Sequence, residues 1–495
     1  MLRSGGNIRG AVLELVRAIV YQARNREAEP AIAFPGGVAT YGALMKSTWA
    51  AVEAFRTFEL PAGSPVMIDI RNPIHHTAMF FALALLGLPS ASVGTAFVAE
   101  KTGFLPALFL TDRTDAQAAG IRTIQVDDRW FASDPAAKPN YAGLLELPGF
   151  PSPDSIVRFL YSSGTTGHPK AVALTEALID GRFRRLMAAR SWWMEGQTIM
   201  NMLGFSTIAG TMQMLRFHSS GALLCYAADS VDAAQMIHLF RVNGLIAATG
   251  QLQVLLKSLG DSKPPQSLNC VAVAGAKISQ RMLQQVRMRL SSTVVINYGS
   301  TELGAVSQGM ATDVDTEDGF VGYVLPWVEV ETVDETRTLL PPGREGVLRV
   351  RSPEAAFYMT PAGDRLDLHE DGWFYPGDVG RLDADGKLYV TGRSSEIINR
   401  GGVVVAPEAI EEVLRLDNRV ADVAVVGVMN SSGVEEIWAA VVSDSLIDPR
   451  SIIDAARPRL NEKVPDRIFQ VAAIPRAESA KVRRFELREI LKSRA

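Results

Sequence analysis

Residues 161–172 read YSSGTTGHPKAV: small hydroxyl residues and glycines in a row, then a proline and a lysine. Glycine lets backbone N–H groups come close to a ligand, hydroxyls add donors, and a lysine adds a point charge. Together they make an anion cradle of the kind that holds phosphates. It is not the Walker loop G-x-x-x-x-G-K-[ST]: counted from Gly164, the position that should be glycine is Pro169. The plain alternative, an exposed Ser/Gly turn between strands, leaves this density of donors unexplained.

The elements around the cradle must hold it open to a ligand. Val157, Phe159 and Leu160 form an apolar run that reads as a buried strand leading into it. Upstream, runs at 31–34, 66–70, 107–111 and 123–126 read as strands, and 41–55 and 73–86 read as helices. This alternation predicts a parallel or mixed sheet with helices on its faces. Residues 132–155, rich in Pro, Gly, Ser and Ala, read as a surface connection. A second series follows, with strands at 222–226, 245–248 and 270–274 and helices at 232–242, 251–259 and 279–290. From 320 to 392 valine-rich pieces alternate with P-P-G, D-G-W and D-A-D-G turns, which predicts a small β-barrel or twisted sheet. Beyond a polar junction at 392–395, strands near 422–428 and 436–442 and helices near 407–416 and 449–460 suffice for a small α+β domain.

The bulk numbers bound the function. The chain has 495 residues, 47% apolar and 21% charged, enough for one large domain and a smaller one. Its net charge of −4 gives no electrostatic reason to expect nucleic acid. Cys225 and Cys270 sit in apolar surroundings and read as buried thiols of a reducing compartment, and the histidines lack zinc spacing. Glu14 and Arg17 interrupt any signal-like core, and the apolar run 78–88 stops at Pro89, too short to span a bilayer. These features predict a cytoplasmic chain with no membrane span.

The stretch YSSGTTGHPKAV also resembles the signature of the adenylate-forming superfamily: acyl- and aryl-CoA synthetases, amino-acid adenylation domains and firefly luciferase. Further motifs follow in the family's chain order. Thr40-Tyr41-Gly42-Ala43-Leu44 resembles its early T-Y-x-x-L segment. Ala274-Gly275-Ala276-Lys277 would be a routine strand-to-helix turn by itself; the resemblance gives Gly275 and Ala276 the adenine. Asn297-Tyr298-Gly299-Ser300-Thr301-Glu302 follows an apolar strand at 294–296 and matches Y-G-x-T-E. Tyr298 offers an aromatic face for a purine, Thr301 a donor for phosphate, and Glu302 a carboxylate for Mg²⁺. Trp373-Phe374-Tyr375-Pro376-Gly377-Asp378 resembles the motif ending T-G-D, whose Asp binds the ribose hydroxyls; Pro376 replaces the Thr, at a cost of roughly 1 kcal/mol.

By the same resemblance, the segment from Gly392 through Arg393, Ser394 and Ser395 to Arg400, Gly401 and Gly402 is a hinge leading coenzyme A inward, with Arg393 facing ribose or phosphate. Ser395 stands at the hinge position, where the family often has Asp or Lys. Pro407 and Glu408 are good first-turn helix residues, which accounts for them without function. The segment 475–484 resembles P-R-x-x-x-G-K-x-x-R, so Lys481 takes the catalytic lysine's place, with Ala480 for the Gly.

The resemblance therefore implies an α/β fold. A large N-terminal domain of layered sheets plus the small barrel (1–392) binds ATP and the acid, and a small mobile α+β domain (393–495) carries Lys481. The expected reaction is ATP-dependent activation of a carboxylic acid to an acyl-adenylate, then thioester formation with coenzyme A. ATP, Mg²⁺ and coenzyme A are the implied cofactors. Lys481, Thr166, Glu302 and Lys170 take the catalytic roles; Ser162, Ser163, Gly164, Thr165, Thr166, Gly167 and Lys170 hold phosphate. Where amino-acid adenylation domains carry F-D, this chain has Phe205-Ser206, so no carboxylate awaits an amine. Phe205, Thr207, Thr249, Gly250 and Ala274 line a small apolar pocket suited to an aryl or a short to medium acyl acid. A carrier-protein phosphopantetheine is the rival acceptor. A non-catalytic nucleotide-binding paralogue is the rival class, disfavoured by retention of Lys170, Glu302, Asp378, Arg393 and Lys481 together. The chain is expected as a monomer or homodimer.

Overall fold

The computed structural model describes residues 11–93, 106–116, 118, 120–134, 136–162, 170–188, 198–260, 265–275, 278–310, 319–360, 363–400, 403–430, 434–476 and 482–495. In chain order the first elements are α1 (Ala11–Asn25), β1 (Pro30–Phe34), β2 (Gly37–Thr40), α2 (Tyr41–Phe55), β3 (Val66–Asp69), α3 (Pro73–Leu86), β4 (Ser90–Ser92), β5 (Leu108–Thr111), β6 (Thr123–Gln125) and α4 (Tyr141–Glu146). Then come β7 (Ile156–Ser162), β8 (Lys170–Thr175), α5 (Glu176–Ala188), β9 (Thr198–Asn201), α6 (Ile208–Ser219), β10 (Leu223–Cys225), α7 (Ser230–Leu239), β11 (Gly244–Ala247), α8 (Thr249–Ser258), β12 (Cys270–Ala274), α9 (Gln280–Arg289), β13 (Val294–Ser300) and β14 (Gly304–Met310). The remainder holds β15 (Phe320–Val324), β16 (Glu329–Val333), β17 (Gly346–Arg351), β18 (Phe357–Met359), β19 (Arg365–Leu366), β20 (Asp378–Leu382), β21 (Lys387–Arg393), β22 (Ile398–Arg400), β23 (Val403–Val405), α10 (Pro407–Leu414), β24 (Asp422–Met429), β25 (Glu435–Val442), α11 (Pro449–Leu460), β26 (Arg467–Gln470) and α12 (Arg484–Lys492).

The chain divides into two compact units, one within 1–274, 284–306 and 352–368, the other within 275–283, 307–351 and 369–495. In the first unit one sheet runs β13-β12-β11-β9-β10-β1-β2, parallel from β13 to β1. Near its middle, β11 and β12 are continuous, buried apolar runs, as covering on both faces requires. The second sheet runs β19-β18-β8-β7-β4-β3-β5-β6. Here β7 and β8 form an antiparallel hairpin, and β18 joins it from far along the chain, Tyr358 opposite Val172.

Helix α3 illustrates the local logic. Asn72 accepts from the N–H groups of Ile74 and His75, Pro73 fills the first turn, and Gly87 closes the helix in the left-handed region. Its middle, 78–85, is buried throughout, as the apolar run predicts. Among the described residues no helix is long and apolar enough to cross a membrane. Cys225 and Cys270 are free and buried, and burial pushes both thiols up to about 12.

In the second unit the end of β14 pairs with β15, and the antiparallel row continues β15-β21-β20-β17-β16. Among the described residues this antiparallel row ends at β16. The C-terminal β24-β25-β26 sheet has helices on both faces. Val423 and Val425 pack with Ile410 and Ile452, whereas Ala424, Val426 and Val428 pack with Leu487 and Leu491. That is the period-two alternation of a strand covered on both sides.

Two expectations need correction. The surface connection at 132–155 contains α4 and buries Leu144, Leu147 and Phe150, so its apolar residues pack into the core. The strand expected to end before Asn297 runs on to Ser300, carrying part of the Y-G-x-T-E motif as strand.

Candidate active site

The hairpin β7–β8 delivers the cradle. Ser162 pairs with Lys170 across its mouth. Ser163, Gly164, Thr165, Thr166 and Gly167, between them, lie outside the described residues, as do Ala276, Gly401, Gly402 and Lys481 and the Ser162 side chain. Lys170 is exposed, and its Nζ stands 5.0 Å from the ring centre of Tyr358. The Tyr358 hydroxyl donates to Glu302 Oε1 at 3.0 Å. One aromatic side chain thus touches both Lys170 and Glu302, which belong to separate motifs in the sequence.

Glu302 is buried, 8% exposed, and among the described residues no lysine or arginine forms an ion pair with its carboxylate. A buried carboxylate with no ion-pair partner is costly, and among the described residues no group of three or more His, Cys, Asp or Glu side chains gathers around it. Its backbone is fixed from beneath. Arg182, on α5, donates from Nη1 to the Thr301 carbonyl at 3.1 Å and from Nη2 to the Glu302 carbonyl at 3.0 Å. Arg182 also donates to the Glu354 carbonyl, and Arg185 lies 3.5 Å from the Glu354 carboxylate. Burial pulls Arg182 down to about 10, against the attraction of Glu354 and Glu302, so it stays charged at neutral pH. Burial pushes Glu354 up, against the pull of Arg182 and Arg185. Gly304, with φ +74, turns the chain here; a Cβ on it would lie 2.6 Å from Glu354 Oε2. Arg182, Glu354 and Tyr358 carry no motif signal, and the fold alone reveals them.

Along the parallel sheet, Phe205 follows β9, Thr249 and Gly250 open α8 after β11, Ala274 ends β12 and Asn297 lies in β13. All stand at the carboxyl ends of neighbouring parallel strands, where open α/β sheets bind ligands. Asn297 Nδ2 donates to the Val273 carbonyl at 3.3 Å, while Tyr298 and Thr301 are half-buried. Gly275, just past β12, has open space where a Cβ would stand. The Thr207 hydroxyl accepts from Gly210 N–H at 2.9 Å and so caps α6, a structural role for a residue expected in the pocket.

Phe205 stacks on His76, ring centres 4.0 Å apart, and contacts Tyr226 at 5.0 Å. Burial drives His76 down to about 3, so the ring is neutral. Its Nε2 lies 2.7 Å from the Ser92 hydroxyl.

In the second unit Asp378 and Arg393 are cross-strand partners of β20 and β21, joined Oδ1 to Nε at 2.8 Å. Arg393 Nη1 also donates to the Pro376 carbonyl at 2.9 Å, so the replaced position still contributes through its backbone. Gly377 takes φ +76, which aims Asp378 into the strand. Ser395 lies in an exposed turn. Arg400 is tied to Asp466 and to the Glu462 carbonyl.

The model of the AMP-binding enzyme family matches residues 19–357. The chain belongs to that family. This AMP-binding enzyme is 26% identical over 502 residues to the fatty acid–[acyl-carrier-protein] ligase ScoC of Streptomyces coeruleorubidus, covering 96% of each chain. It is 24% identical to the 2-succinylbenzoate–CoA ligase of Bacillus cytotoxicus, covering 92% of this chain and 94% of that one. In fold it is similar to the O-succinylbenzoate coenzyme A synthetase of Bacillus subtilis solved with AMP, with TM-score 0.79 at 21% identity over 97% of this chain and 98% of that one.

Proposed function

We propose that the chain activates a carboxylic acid with ATP and passes the acyl group to coenzyme A. The observation that carries this reading is the Lys170–Tyr358–Glu302 arrangement, a cationic and an anionic phosphate-site group held on one side chain. In the first half-reaction an oxygen of the acid's carboxylate attacks the α-phosphorus of ATP. The bond from that phosphorus to the bridging oxygen breaks, and pyrophosphate leaves. In the second half the thiol, its proton lost to solvent, attacks the acyl carbonyl and AMP departs.

Residues 162–170, Thr166 among them, hold the phosphates. Lys481 screens the acid's carboxylate from the α-phosphate and meets the charge that builds in the transition state. Glu302 would hold Mg²⁺, which when bound neutralises charge on the phosphates. Gly275, Ala276 and Tyr298 face the adenine, and Asp378 and Arg393 the ribose. Phe205, Thr207, Thr249, Gly250 and Ala274 enclose an aryl or short to medium acyl group. Residues 393–495 move as a small domain about Ser395, and Arg400, Gly401 and Gly402 lead pantetheine inward. The enzyme works in the cytoplasm as a monomer or homodimer.

The similarity to ScoC, over nearly the whole of both chains, favours a second reading in which a carrier-protein phosphopantetheine is the acceptor. Pyrophosphate release across a panel of carboxylic acids, with coenzyme A and a loaded carrier protein in separate arms, tests both. Acid-dependent release with acyl-CoA formed supports the first. Release with product on the carrier alone selects the second, and ATP binding without release from any acid refutes both.

A further inference from the structure

Arg158 lies on β7, a few residues before the cradle, and is 1% exposed. Its Nη1 donates to Ser90 Oγ at 2.9 Å, and its Nη2 to Ser92 Oγ at 2.6 Å and to the Phe205 carbonyl at 2.7 Å. Every acceptor is neutral. The guanidinium lies 5.1 Å from the Phe80 ring centre, and Nε, though buried, has no hydrogen-bond partner. Among the described residues no carboxylate pairs with it. Burial pulls Arg158 down to about 9, so it is still a cation at neutral pH. His76, neutral and bonded to the same Ser92 hydroxyl, cannot balance it.

A buried cation without a counter-ion costs several kcal/mol, and structural ion pairs normally supply the missing anion. Here Nε and the second Nη1 hydrogen remain unused, beside Phe205 of the proposed acid pocket. A guanidinium with spare donors is shaped for a carboxylate. We infer that Arg158 receives a second anionic group of the acid substrate, so that the site selects a dicarboxylic acid over a monocarboxylic acid of equal length. The inference rests on the acid-activating reading above and names the substrate class of that same pocket. The attacking carboxylate stays at the ATP, and the far one accepts from the unused Arg158 donors at Nε and Nη1.

Matched pairs, such as pentanedioic against pentanoic acid and a longer pair, test this by acid-dependent pyrophosphate exchange. The wild type should favour the diacid by roughly tenfold or more in kcat/KM, as expected for hydrogen bonds to a charged group. Arg158→Met should erase that ratio by cutting the diacid far more than the monoacid, and Arg158→Lys should retain part of it. Arg158→Met also leaves Ser90 Oγ, Ser92 Oγ and the Phe205 carbonyl without this donor, so a melting curve is run beside the kinetics to show that the variant is folded. A wild type indifferent to the second carboxylate overturns the inference. So does an Arg158→Met variant that loses both acids by the same factor, since Arg158 is then a brace for Phe205. If no acid is activated, calorimetric titration of the diacid decides. Binding that Arg158→Met abolishes keeps the site while the activity falls; absence of binding sinks the site too.

Discussion

The Glu302 and Asp378 regions place one carboxylate each, by opposite means. Glu302 is held by parts drawn from across the first unit. Arg182 reaches it over 120 positions of sequence and Tyr358 over 56. Asp378 is held by its own hairpin, with Arg393 opposite it in the β20–β21 register and Gly377 turning the chain just before it. The first arrangement puts stability and function into one buried network. The second is local, with the carboxylate and its partner set by the register of one hairpin.

Arg182→Met should break this contrast most forcefully. Losing Arg182 leaves the Thr301, Glu302 and Glu354 carbonyls without their buried donor and removes a cation that attracts Glu354, which together cost about 3 kcal/mol or more, read as a large fall in the urea midpoint. Asp378→Ala should cost far less stability, yet raise the KM for ATP roughly tenfold to a hundredfold through lost charged hydrogen bonds. An equal stability loss in both variants would erase the distinction. Tyr358→Phe sharpens the comparison. The partner of a metal-binding carboxylate typically contributes tenfold or more to metal affinity, so the Mg²⁺ concentration for half-maximal pyrophosphate exchange should rise about tenfold. An unchanged Mg²⁺ requirement would reduce Tyr358 to packing. Gly377→Ala is the mildest, about 1–2 kcal/mol of left-handed strain, measured as a small shift in thermal midpoint.

How much of this is legible in the sequence follows the same divide. Local chemistry reads directly. Asn72, Pro73 and Gly87 bound α3, and the alternation in β24 marks a strand covered on both sides. Asp378 and Arg393 belong to recognisable motifs, and their pairing needs one hairpin. Tyr358 and Arg182 are invisible in sequence, because their meaning depends on β18 joining β8 and on α5 passing beneath the Glu302 turn. Helix α1 is a different case. Leu15, Val16, Ile19, Val20 and Ala23 are buried at helical spacing, a readable pattern that the sequence-level reading leaves out. Arg158 interrupts an apolar strand, and nothing in the residues around it foretells Ser90, Ser92 and Phe205 as its neighbours.

The most direct measurement is a single-turnover reaction of enzyme, Mg-ATP and an accepted acid, quenched and analysed by mass spectrometry before and after coenzyme A is added. The account predicts acyl-AMP in stoichiometric amount before the thiol and its conversion to acyl-CoA and AMP afterwards. ATP bound without acyl-AMP from any acid, or acyl-CoA formed with ADP and phosphate as the by-products, would contradict it.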